Sequence, residues 1–255
     1  MAIPKLIHYC WLSNDKWDDI HQKCFDSWKR LLPDYEFILW DSFSEAKDIP
    51  FVKRMVRQKS WAFASDYIRL YALYTYGGIY LDLDVELLKS LDNFLLHKCF
   101  IGREDEKSLA CHVLGAEKQH VFIKENLDYY NNSFRLKFSQ PPTMPRIVTK
   151  IAIKKGMLNE DSKIQSLIDE TVIYPSIYFT PLHYRNRLEK GKEQYISVES
   201  ICIHHWHHSW SWLDSKSIFK HVVKQPWLYM NTNDFKRFLV HLFRLLKINL
   251  KRFLK

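Results

Sequence analysis

Glycine is scarce in this chain of 255 residues, with six in all, at 77, 78, 102, 115, 156 and 191. None forms G-x-G-x-x-G, which excludes that dinucleotide-binding fingerprint. Gly191-Lys192 has Asn186 where a P-loop needs its upstream glycine. The five cysteines (10, 24, 99, 111 and 202) are odd in number, scattered, and make no C-x-x-C pair. They fit reduced thiols in a cytosolic protein better than a disulfide framework. No apolar run approaches the ~18 residues of a membrane span, and Met-Ala-Ile-Pro-Lys-Leu-Ile-His has no signal-peptide core. The expected location is therefore cytoplasmic, with the Asn131-Asn132-Ser133 sequon unused.

What is present is a large apolar fraction, 47%, with 15% aromatics. That is enough to bury a sizeable core, and it excludes a wholly disordered chain. The formal charge of +9 suggests a polyanionic partner until its distribution is examined. Residues 234–255 carry seven Lys/Arg and one acid, and the remaining body carries only +3. Phe235, Phe238, Leu239, Leu242, Leu245 and Leu246 recur at helical spacing in that tail, with Lys236, Arg237, Arg244 and Lys247 largely elsewhere on the wheel. The expectation is a catalytic domain over 1–233 and a basic amphipathic helix over 234–255. That helix either packs on the body or lies on an anionic membrane surface, at the inner face of the cytoplasmic membrane. No nucleic-acid motif occurs, so nucleic acid is not an expected partner.

Ile3–Tyr9 and Tyr35–Trp40 read as strands, with a helical stretch Trp17–Leu31 between them ending before Pro33. This β-α-β opening favours a parallel sheet flanked by helices. Ser60–Tyr76 has helical periodicity and is closed by Gly77-Gly78. Ile79–Val85 alternates as a strand, Phe122–Tyr130 is helical, and Pro141, Pro142 and Pro145 mark a loop. Ile173–Tyr178 and Tyr195–Ile203 are weaker strand candidates.

The most informative stretch is Tyr80-Leu81-Asp82-Leu83-Asp84-Val85-Glu86. On a strand, Tyr80, Asp82, Asp84 and Glu86 share one face. Two carboxylates at i and i+2 near a strand's C-terminal end can hold a hard divalent cation where ligands bind open α/β sheets. D-x-D alone arises by chance, and its bland reading is an acidic surface strand. Upstream, Asp66 and Arg69 lie three apart on one helix face, either as a minor ion pair or as groups for sugar hydroxyls and phosphate. Downstream, His204, His205, His207 and His208 lack zincin spacing, and an extended chain cannot aim all four at one ion. One imidazole completing a carboxylate-held Mn2+ site is reasonable.

Four ordered blocks carry a resemblance: Ile3-Pro4-Lys5-Leu6-Ile7-His8-Tyr9-Cys10-Trp11, Ala64-Ser65-Asp66-Tyr67-Ile68-Arg69-Leu70-Tyr71-Ala72-Leu73, Tyr76-Gly77-Gly78-Ile79-Tyr80-Leu81-Asp82-Leu83-Asp84, and His204-His205-Trp206 with Ser209-Trp210. Together, over residues 3–210, they resemble glycosyltransferase family 32, which includes bacterial capsular and lipopolysaccharide sugar transferases and yeast outer-chain mannosyltransferases. More distantly they are similar to the glucosyltransferase domain of large clostridial toxins. The resemblance implies a GT-A fold with a mostly parallel central sheet, a nucleotide-sugar donor, a divalent cation (Mn2+ or Mg2+) and retention of anomeric configuration. The implied acceptor is a saccharide or lipid-linked oligosaccharide in bacterial surface polysaccharide synthesis.

The resemblance also implies residue roles. Trp11, with Tyr9, falls at the nucleotide base, and Ser65, Asp66, Arg69 and Tyr80 at the donor sugar and ribose. Asp84 is the expected direct metal ligand, Asp82 contacts ribose or metal-bound water, and His205, followed by His204, is expected to complete the site. Ser209 and Trp210 approach the diphosphate. Asp66, Arg69, Asp82 and Asp84 are the expected catalytic set. One departure stands at Ala110-Cys111-His112, where relatives commonly carry a small polar, Asn-containing segment. A UDP-sugar donor is favoured, with a GDP-mannose-dependent mannosyltransferase or a noncatalytic nucleotide-sugar-binding protein as alternatives.

Overall fold

The structure, a computed structural model, describes residues 3–207 apart from 14, 42, 43, 59, 136–141, 188 and 190. The basic segment 234–255, Ser209 and Trp210 lie outside the described residues.

The chain opens with β1 (Leu6–Cys10), α1 (Asp19–Leu31) and β2 (Glu36–Trp40). Asp18 caps α1 by accepting from the His21 amide, one of the donors a helix start leaves unpaired. β1 and β2 pair in parallel from Leu6↔Glu36 to Cys10↔Trp40, as the β-α-β reading requires. Next come α2 (Pro50–Arg57), α3 (Trp61–Tyr76), β3 (Gly78–Leu81) and β4 (Val85–Leu87). The central part adds β5 (Cys99–Asp105), β6 (Ser108–Ala116), α4 (Val121–Arg135) and α5 (Met144–Lys154). β7 (Gln165–Ser166), β8 (Thr171–Tyr174), the short α6 (Ser176–Phe179) and β9 (Cys202–His204) complete the described elements.

Seven strands form one sheet in the order β2-β1-β3-β6-β5-β8-β7, and β4 pairs separately with β9. The pairings make five strands run one way, with β6 and β7 opposed. This is the helix-flanked, mostly one-directional sheet expected of a GT-A fold.

Both faces of the sheet are buried. One carries Tyr80, Ile101 and Leu114 against α3, α4 and α5. The other carries Ile7, Tyr9, Ile79, Leu81 and Val113 with Trp28 of α1. That two-sided burial explains why the hairpin β5–β6 escapes a periodicity reading, since its continuous apolar runs have no polar alternation.

Two further departures have local causes. Pro145 does not mark a loop; it sits in the first turn of α5, where its missing N–H costs nothing. The stretch Ile79–Val85 is not one strand. Leu81 ends β3, and a turn closed by Val85 N–H donating to the Asp82 carbonyl (3.0 Å) leads into β4 of the second sheet.

Candidate metal and donor site

The site begins with the bend that delivers β3. Gly77 and Gly78 both adopt positive φ, +70° and +108°. A Cβ at Gly78 would lie 2.7 Å from the Leu6 carbonyl oxygen, so only glycine lets β3 come this close to β1. His8 fastens the same bend. Its Nε2–H donates to the Gly77 carbonyl (2.8 Å), and its Nδ1 accepts from the Trp40 indole (3.1 Å). Burial depresses the His8 pKa to about 4, only partly offset by the Gly77 hydrogen bond, so the ring is neutral.

Asp82 and Asp84 occupy the turn that follows β3. The Asp82 amide donates to the His112 carbonyl on β6 (2.9 Å), continuing the ladder one residue past the strand. α1 fixes the exit side: the Trp28 indole donates to the Val85 carbonyl (2.7 Å), and the Leu87 amide donates to Ser27 Oγ (2.9 Å). β4 then pairs antiparallel with β9, setting Val85 opposite His204. Pairing across the second sheet thus brings a histidine 120 positions away to the aspartates.

Asp82, Asp84 and His204 each present a ligand atom within 4.8 Å of the others. His204 is buried, with Nε2 3.2 Å from Asp84 Oδ1, yet neither ring nitrogen makes a well-directed hydrogen bond. A buried imidazole left this way is costly unless something else engages it. Two carboxylates and one imidazole suit a hard or borderline cation such as Mn2+ or Mg2+, so the residues fit the implied metal. Without a cation, burial works against ionising Asp84. The charge of the adjacent His204 and the His207 amide (2.8 Å to Oδ2) outweigh it and hold the pKa at about 2. His204 is raised, because Asp84 outweighs desolvation.

Behind Asp82 lies a buried charged bracket. Arg69 is only 5% exposed. Its Nη2 meets Asp82 Oδ1 at 3.0 Å and Asp66 Oδ1 at 3.4 Å, its Nη1 donates to the Cys111 carbonyl, and its guanidinium lies 4.4 Å over the Tyr80 ring. Desolvation disfavours the guanidinium charge, but Asp82 and Asp66 more than restore it. Burial raises Asp66 to about 6 against the pull of Arg69, and the Tyr130 hydroxyl approaches its carboxylate at 3.4 Å.

These positions refine the expected roles. Asp66 and Arg69 orient Asp82 from behind, because α3 buries them under the sheet. Tyr80 lies within the core for the same reason, as a platform beneath Arg69 and not as a donor contact. Tyr9 is 6% exposed and packs on Trp17, Phe25 and Trp28, since its strand position faces α1. Ser65 spends its hydroxyl on the Ala62 carbonyl (2.9 Å).

His205 does not join the aspartates. Its Nε2 meets Glu86 Oε2 at 2.9 Å, and Lys23 shares that carboxylate (2.8 Å). Glu86 pairs with Ile203, so alternation puts His205 on the Glu86 face, while Asp84 reaches His204 because it lies in the turn before β4 and not in the strand. Trp11 is half-buried beyond β1. Its ring lies 4.9 Å from His21, which lies 5.4 Å from His207, whose amide holds Asp84. It therefore flanks the site.

Sequence reasoning gave His112 no role. It is 3% exposed, stacks on His204 at 4.3 Å, and donates from Nε2 to the Phe179 carbonyl (2.8 Å). Burial chiefly, with the neighbouring His204, lowers its pKa to about 3. The available signal was a lone histidine within the apolar run Leu109–Ala116.

Known proteins resemble parts of this chain. "Inositol phosphoceramide mannosyltransferase 3" of Schizosaccharomyces pombe is 36% identical over 132 residues, 48% of this chain and 35% of that protein. "Mannosyl phosphorylinositol ceramide synthase CSH1" of Saccharomyces cerevisiae is 31% identical over 147 residues, 53% of this chain and 38% of that protein. The matched segments thus span little more than a third of these relatives. Among solved structures, "PaToxG Glycosyltransferase" aligns with TM-score 0.49 at 18% identity, over 61% of this chain and 70% of that one. Asp82 and Asp84 lie within residues 18–101, the segment that matches the family model described as glycosyltransferase sugar-binding region containing DXD motif.

Proposed function

We propose that the protein is a metal-dependent glycosyltransferase that moves a hexose, mannose foremost, from a nucleotide-sugar donor to an acceptor hydroxyl. The observation that carries this reading is the convergence of Asp82, Asp84 and His204 at the end of β3, braced by Arg69 and Asp66. The mannosyl assignment draws on the yeast relatives, whose names give mannosyl transfer, and it makes GDP-mannose the proposed donor in place of the UDP-sugar and bacterial polysaccharide reading. By the same analogy, the acceptor is an inositol-phosphate lipid head group.

Asp82, Asp84 and His204 would hold a divalent cation, which supplies positive charge where a departing nucleoside diphosphate accumulates negative charge. The chain's own contribution is preorganisation. Arg69 fixes the Asp82 carboxylate, the His207 amide fixes Asp84, and the β3–β6 ladder fixes the turn. None of these need reorganise as charge develops. Trp11 offers an aromatic face for the base. The sequence marks no isolated carboxylate as a covalent nucleophile. The acceptor hydroxyl therefore attacks from the face the diphosphate leaves, and its proton passes to the departing phosphate. Recovery of a glycosyl-enzyme adduct on a carboxylate would refute that route.

The test is diphosphate release from GDP-mannose, UDP-glucose, UDP-galactose and N-acetylated UDP-sugars with Mn2+, with and without an inositol-phosphate lipid. Release should be largest with GDP-mannose and lost in Asp84→Asn. Release indifferent to Asp84→Asn refutes the site, and none with any donor and acceptor favours a noncatalytic binding protein.

The basic segment 234–255 is proposed to bring the enzyme to an anionic membrane surface, where such an acceptor would reside. Deleting it should free the protein from anionic vesicles, and equal binding without it would refute this role.

A further inference from the structure

We propose that His112 is a positioning residue for His204: its ring stacks on the His204 imidazole and fixes it against Asp84. The inference rests on reading Asp82, Asp84 and His204 as a metal site. Histidines that bind metal ordinarily owe their ring orientation to a hydrogen bond from the other ring nitrogen to a carboxylate, carbonyl or water. His204 has no such bond, since its Nδ1 is buried without a partner. Its orientation falls to two rings packed on adjacent sides of it, 6.1 Å from each other. His112 lies at 4.3 Å between centroids with planes 29° apart, and Trp206 at 4.0 Å with planes 38° apart.

Both rings are anchored from behind. The Nε2–H of His112 donates to the Phe179 carbonyl at 2.8 Å, and the Trp206 indole donates to the Leu182 carbonyl at 2.8 Å. Trp206 reaches its place through a left-handed backbone, φ +56°, uncommon for a bulky residue and held by the surrounding contacts. His112 also touches the other half of the site, because its main-chain carbonyl accepts the Asp82 amide at 2.9 Å. One residue of β6 thus sets both the turn carrying the aspartates and the ring that faces them.

The choice of histidine follows from geometry. An aliphatic side chain would fill the volume beside His204 without burying a polar group. It would offer no flat face parallel to the imidazole. A phenyl ring supplies the face without the N–H that anchors it to Phe179. Histidine supplies both, and its one buried donor is satisfied.

Two variants separate these contributions. His112→Gln retains an N–H donor toward the Phe179 carbonyl and removes the ring; His112→Phe retains the ring and removes the donor. Mn2+ affinity, read from the free-ion electron paramagnetic resonance signal of the full chain, should fall about 10- to 100-fold in His112→Gln, as for loss of an outer-shell orienting group. His112→Phe should remain near wild type. Combining His112→Gln with His204→Ala should weaken binding no further than His204→Ala alone. In the metal-free protein, the His204 ring-proton NMR resonances should move in His112→Gln and stay close to wild type in His112→Phe.

Unaltered His204 resonances in His112→Gln overturn the positioning role. So does a double variant whose loss is the sum of the single ones. If Asp84→Asn leaves Mn2+ binding intact, the metal reading fails by itself, and the metal-free spectra still decide whether His112 orients His204.

Discussion

Acidification should weaken the fold through His8. The His8 ring is fully buried, with both nitrogens committed: Nε2–H to the Gly77 carbonyl and Nδ1 to the Trp40 indole N–H. A second proton would have to sit on Nδ1, facing a donor. The folded-state pKa is depressed to about 4 from 6.5, with burial the principal cause. The unfolded chain therefore binds the proton first, and the stabilisation present above pH 6.5 is lost as pH falls toward 4. At ~1.36 kcal/mol per pH unit, the loss between pH 8 and pH 5 is about 2 kcal/mol, approaching ~3.4 kcal/mol below pH 4. Urea unfolding at pH 8, 7, 6 and 5 measures it, with His8→Gln as comparator. The variant should be less stable at pH 8 and flatter across this range, so that the two curves converge on acidification. Parallel curves for the two proteins would refute the reasoning, because nothing else distinguishes their titration.

Other perturbations probe the site from different sides. Arg69→Ala strands Asp66 and disconnects Asp82, and loss of one partner of a buried ion pair should cost about 3–5 kcal/mol by chemical denaturation. Gly78→Ala places a Cβ against the Leu6 carbonyl at a φ of +108°; thermal unfolding should show a destabilisation of at least ~1–3 kcal/mol, with the unfolding midpoint reporting it. His204→Ala should weaken Mn2+ binding in titration calorimetry, whereas His205→Ala should chiefly release Glu86. Glu86, now held at about 2 by the His205 hydrogen bond and Lys23 against the opposing effect of burial, should then titrate at higher pH by carboxylate NMR. Equal Mn2+ losses in the two histidine variants would contradict the assignment of His204.

The elements that were legible in the sequence carry local, one-sided signals. The helix Trp61–Tyr76 and its glycine stop, and the β1–α1–β2 opening, announce themselves through periodicity and capping within a few residues. β5 and β6 do not, because strands buried on both faces lose their alternation. The apolar run Ile79–Val85 was misleading in the opposite sense. Its alternation is real, but one part serves the seven-stranded sheet and the other a second sheet, and the turn between them falls on the aspartates.

The sequence by itself determined the chemistry: two aspartates two residues apart, an Asp–Arg pair one helical turn apart, and a histidine-rich segment far downstream. The forms of these side chains are local properties, and so is the double glycine that permits the bend before them. Tertiary structure alone decided which of them meet. The pairing of β4 with β9 turns His205 toward Glu86, and the turn before β4 frees Asp84 from that alternation to meet His204. The packing of α3 beneath the sheet turns Arg69 and Asp66 into a bracket for Asp82. The β3–β6 register brings His112, silent in its apolar run, against the ring it orients.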